Sequence, residues 1–114
     1  MDDYREFIRR VSHDAFSQRY RLELMLEVAN AEDGIVCLTD LARSLQVTAS
    51  NLQKPLESLV RTRLITPLPD VDSRFHYYLR NSSHAWAWAF ELAGLNLETT
   101  GPGAWRSALI ASNS

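Results

Sequence analysis

The chain has 114 residues, 46% of them hydrophobic, and its 12 basic and 14 acidic side chains leave a net charge of −2. That length suits one hydrophobic core rather than two independent domains, and apolar content with interspersed charges of both signs excludes wholesale disorder. A single cysteine, Cys37, excludes an internal disulfide and a thiolate metal cluster.

In chain order, Tyr4, Phe7, Ile8, Val11 and Ala15 recur at helical spacing, followed by a second apolar series from Tyr20 to Ala29. Ser12-His13-Asp14 carries capping residues and reads as a break, which predicts one helix over 2–11 and a more deeply buried one over 15–30. Ala31-Glu32-Asp33-Gly34 is a turn, and Ile35 to Leu38 a brief β-branched strand. Thr39 is then read as the cap of a two-turn helix whose buried face is Leu41, Ala42 and Leu45.

Gln46-Val47 interrupts that helix, and Thr48 opens another whose buried face is Leu52, Leu56, Leu59 and Val60. Two helices joined so closely define a helix-turn-helix, in which the outer face of the second stays exposed. That face carries Ser50, Asn51, Gln53, Lys54, Glu57, Ser58 and Arg61, and Pro55 falls inside the same helix. Pro55 implies a late start or a bend, since proline removes an amide donor inside a helix.

Residues 64–69 and 74–80 are extended on either side of the acidic turn Asp70-Val71-Asp72-Ser73, a β-hairpin. Alternation puts Phe75, Tyr77 and Leu79 on its inner face and His76, Tyr78 and Arg80 on its outer one. Ser82-Ser83 caps a last helix from 84 to about 95, so rich in Trp86, Trp88 and Phe90 that part of it calls for cover by another subunit. Residues 96–114, with Gly101-Pro102-Gly103, form a tail.

This order, over residues 16–94, resembles the ArsR-type winged-helix repressors. Arg21-Leu22-Glu23-Leu24-Met25-Leu26, the Thr39 to Leu59 helix-turn-helix, and Leu64-Ile65 with Arg74 to Leu79 carry the likeness. It implies a mainly α (α+β) winged helix-turn-helix over residues 1–95, with a two-stranded wing, dimerised through its N- and C-terminal helices. Two departures stand out. Arg63 replaces the glycine usual after the recognition helix, and only Cys37, with Thr39 at the second position, matches the paired cysteines of metal-sensing members. No metal and no cofactor is therefore expected.

The functional expectation is a homodimeric, sequence-specific binder of double-stranded DNA, a transcriptional repressor rather than an enzyme. DNA contact is assigned to Thr48, Ser50, Asn51, Gln53, Lys54, Arg74 and His76, since polar groups near a helix N-terminus reach base edges and wing cations reach phosphates. The dimer interface is assigned to Tyr4, Phe7, Ile8, Val11, Trp86, Trp88 and Phe90. Residues 34–80 are the basic part, six cations against four carboxylates. The overall acidity keeps a second reading open, a winged helix that contacts proteins without reading DNA. An effector, small molecule or protein, is also left open. No membrane span is found, and the opening Met1-Asp2-Asp3 is unlike an export signal, so a cytoplasmic location is expected.

Overall fold

A computed structural model describes residues 2–69 and 75–94. Within them five helices and a three-stranded antiparallel sheet make a small mixed α/β fold. The helices are α1 (Asp2–Phe16), α2 (Arg21–Asn30), α3 (Leu38–Leu45), α4 (Ala49–Arg61) and α5 (Ala85–Leu92). The strands are β1 (Ile35–Cys37), β2 (Ile65–Pro67) and β3 (Tyr77–Arg80).

Helix α2 is the hub and touches α1, α3, α4 and α5. Its Leu22, Leu24, Met25 and Val28 are buried, as the apolar series predicts. Around them close Ile8, Leu41, Leu45, Leu52, Leu56, Leu59, Ile65, Trp86 and Phe90 in one core. None of the helices among the described residues is long and apolar enough to cross a membrane.

The strands are shorter than predicted, and the helices depart from the sequence reading at three places. Helix α1 runs through Ser12 to Phe16, and the break falls at residues 17–20. Ser12 is fully buried, and its hydroxyl donates to the carbonyl of Gln18 and accepts the amide of Leu22, 3.0 Å away. It therefore joins two helices instead of starting one. Helix α3 begins at Leu38 with Cys37 at its cap position, so Thr39 lies inside the helix and does not cap it. Helix α5 spans Ala85–Leu92 rather than 84–95, with the amide of Ala85 donating to the hydroxyl of Ser83 at 3.0 Å.

The sheet order is β1-β3-β2, so β3 is central and pairs with both neighbours. Ile35 lies opposite Leu79, Val36 opposite Tyr78, and Thr66 also opposite Leu79. The orientation of β3 is the reverse of the expected one: Tyr77 and Leu79 are exposed while Tyr78 and Arg80 are half-buried. Arg80 explains the reversal. Its guanidinium turns inward and donates to the carbonyls of Val28, Ala29 and Ala31, each at 2.9 Å, satisfying the open C-terminal end of α2. Gly34, at φ +73°, packs beside it, with the Arg80 Cβ only 3.6 Å from where a side chain would start. The predicted hairpin tip, 70–74, and the predicted tail, 96–114, lie outside the described residues.

Candidate nucleic-acid interface

Helices α3 and α4 pack on each other and on α2 through Leu41, Leu45, Leu52, Leu56 and Leu59, all buried. The turn between them is set by Gln46, which takes a left-handed conformation at φ +59°. Its amide donates to the carbonyl of Arg43 at 3.2 Å, and that of Val47 reaches back to Ala42 at 3.0 Å. This pair of bonds ends a helix sharply and redirects the chain. Arg5 from α1 steadies the corner by donating to the carbonyl of Leu45 (3.3 Å) and the side chain of Gln46 (3.2 Å).

Thr48 then precedes α4, its hydroxyl 3.0 Å from that of Ser50 and making no side-chain cap bond to the helix. Ser50, Asn51, Gln53 and Lys54 are exposed, as are Glu57 and Arg61, which form a loose pair at 3.9 Å. Ser58 departs from the predicted outer face. It is half-buried, donating to the carbonyl of Lys54 at 3.1 Å and accepting from Gln18 at 3.0 Å. Pro55 lies inside an unbroken α4 with its ring buried, so its lost amide bond is set against apolar packing.

The outer side of α4 faces the half-buried side of β3 across a groove of about 470 Å³ lined by Gln53, Glu57, Arg61, Pro67, His76 and Tyr78, among others. His76 thus shares a groove with Gln53. Arg74, the other strand residue assigned to DNA, lies outside the described residues. Three exposed cations on or just past α3 and α4 were not among the assigned residues: Arg43, paired with Asp40 at 3.3 Å, Arg61, and Arg63, just past α4 at φ +64°. The glycine-like position of Arg63 was its available signal.

The residues assigned to a dimer interface divide into three groups by exposure. Ile8, Trp86 and Phe90 are covered by their own chain, and the Trp86 indole donates to the carbonyl of Asn81 at 2.8 Å. The core of their own chain leaves them little surface to offer a partner. Val11 is half-buried. Tyr4, Phe7 and Trp88 are 48%, 40% and 45% exposed on α1 and α5. Tyr4 stacks near Phe7, its hydroxyl donates to the carbonyl of Ala93 at 3.3 Å, and partial burial raises its phenol above the usual pKa. Trp88 meets Phe16 edge-on at 5.3 Å.

Cys37 is buried and unbonded, and among the described residues no group of three or more His, Cys, Asp or Glu is placed to hold a metal ion. Comparison with family models, curated proteins and solved structures finds no match.

Proposed function

We propose that the chain is a winged helix-turn-helix protein of the cytoplasm, a transcriptional repressor that binds double-stranded DNA as a homodimer and is not an enzyme. Helix α4 is the DNA-reading element, inserted into the major groove. Strands β2 and β3 form the wing, and α1 with α5 forms the dimer contact.

One observation carries the reading. Leucines fix the inner side of α4 against α2 and α3, while Ser50, Asn51, Gln53 and Lys54 stand exposed near its N-terminus. Asn and Gln can pair with adenine through two bonds, and Lys54 neutralises a phosphate. Exposed Arg63 adds positive charge nearby, while Arg43 and Arg61 are balanced by Asp40 and Glu57, so it is Arg63 that supports a backbone contact despite the acidic whole.

Electrophoretic shift with genomic fragments, at low and moderate salt, tests the proposal. Lys54→Ala should weaken binding similarly on every sequence and reduce the slope of log affinity against log salt by about one. Asn51→Ala should instead relax the preference between sites, each lost base contact being worth about 1–3 kcal/mol. The DNA-binding role falls if the intact protein shifts no fragment at either salt, an outcome that leaves a protein-contact module.

A further inference from the structure

We propose that the outer face of the sheet, with the groove beside β1, docks an extended segment of a partner protein that alternates apolar and basic side chains. The inference stands apart from DNA binding, because it uses the opposite side of β3.

Ile35 and Leu79 face each other across β1 and β3, and Tyr77 lies two residues along from Leu79 on the same side of the strand. All three are exposed, at 41%, 37% and 43%. Scattered apolar side chains on a surface mean little, but a contiguous ridge on a sheet marks a contact site. Strand β1 is at the edge of the sheet, with β3 on one side and no further strand on the other among the described residues. The amide of Ile35 at that edge already donates to the carboxylate of Asp33 at 3.0 Å, so an extended occupant lies across the exposed side chains rather than lengthening the sheet.

A groove of about 320 Å³ runs along β1 between α2 and α3, with Ile35, Val36, Leu41 and Tyr77 among its apolar lining. Glu27 and Asp40 supply its charge, and among the described residues no basic side chain lines it. Exposed Glu32 and Asp33 precede β1. The one cation on β3, Arg80, is engaged by three carbonyls of the α2 end. Arg43 balances Asp40 only through an exposed pair at 3.3 Å, which solvent screens.

This chemistry selects the occupant. Phosphates are repelled by the carboxylates, so DNA does not fit. A second copy meeting this face with its own matching face brings the same carboxylates and is repelled as well. An extended segment has side chains that alternate with period two, so apolar residues can cover Ile35 and Leu79 while lysines or arginines meet the acidic groove. Tyr78 lines the separate groove toward α4, so both surfaces can be occupied together.

The test is a titration of the full chain, followed by backbone amide shifts, with a peptide alternating valine and lysine and with its valine–glutamate counterpart. The lysine peptide should move the amides of Ile35, Cys37, Tyr77 and Leu79, and added salt should weaken it. Leu79→Ser should weaken that binding about tenfold, and Asp40→Asn about threefold. Asp40 is exposed, so its variant decides the matter even where Leu79→Ser does not fold. Equal binding of the glutamate peptide, or shifts confined to other surfaces, overturns the proposal. So do movements of these amides with protein concentration alone, with duplex DNA, or on deletion of 95–114, which would assign the face to a second copy, to DNA or to the chain's own tail.

Discussion

At the scale of single residues, several polar side chains close gaps in the backbone's own hydrogen bonding. Ser12 is without exposed surface, and its one hydroxyl serves the carbonyl of Gln18 and the amide of Leu22. Ser12→Ala would leave both groups without that partner in the interior, a cost of about 2 kcal/mol. Urea unfolding should show it as a lower midpoint with an unchanged slope, and an unchanged midpoint would mean that water replaces the hydroxyl. Glu23 works similarly across α1 and α2: buried, it is gripped by Arg9 at 2.6 Å and approached by Arg5 at 3.6 Å. Burial acts against the charge of Arg9, yet its bond to Glu23 and the nearby negative charge hold its pKa above the usual value. Arg21 has no such partner among the described residues; burial lowers its pKa, and its guanidinium lies over the Phe16 ring at 4.8 Å.

At the scale of elements, α1, α3 and α4 are each followed by a residue other than glycine at positive φ, namely Ser17, Gln46 and Arg63. A side chain in that conformation costs about 1 kcal/mol or more, which glycine avoids. Arg63 is exposed, and the surrounding bonds from its own amide to Val60 (3.0 Å) and from Leu64 to Leu59 (2.9 Å) need no side chain. Arg63→Gly should therefore stabilise the fold by about 1 kcal/mol, seen as a Tm higher by several degrees. An unchanged or lower Tm would show that this turn carries no strain.

The same elements show what the sequence could reveal. Helix α4 was legible because Leu52, Leu56 and Leu59 repeat with the helical period, and the exposure of Asn51, Gln53 and Lys54 follows from that geometry. Ser12 was misread because local pattern cannot separate a hydroxyl that caps its own helix from one that serves the next. The facing of β3 was misread for a related reason. Aromatic residues normally turn inward, but the need of the α2 end for a donor fixes Arg80 on the inner side, and Tyr77 and Leu79 must then face out. Pairing of β1 with β3 joins segments some forty residues apart, and three-residue strands carry no register signal of their own.

At the scale of the whole molecule, apolar surface remains on the α1–α5 side after the core is complete. An aromatic side chain can bury about 150–250 Å², so Tyr4, Phe7 and Trp88 at their exposures leave on the order of 250 Å² in water. A stable interface buries about 800 Å² on each partner. These three rings can centre a dimer contact, and their neighbours along both helices must supply the rest. Sedimentation equilibrium should find the protein dimeric at micromolar concentration, and Trp88→Ala should shift it toward monomer. A wild-type monomer under those conditions removes the dimer from the proposed function.

The fastening of Arg80 to α2 also sets how the hairpin moves in time. At its root the strand is held twice, through the guanidinium and through its amide, which donates to Gly34 at 2.7 Å. The amide of Leu68, bonded to Tyr77 at 2.9 Å, lies toward the far end, away from that anchor. Hydrogen exchange should consequently run on two clocks, slow and tied to global unfolding at Arg80, faster and through local opening at Leu68. Local opening at Leu68 would leave the core closed, because β3 stays paired with β1 from Tyr77 to Leu79.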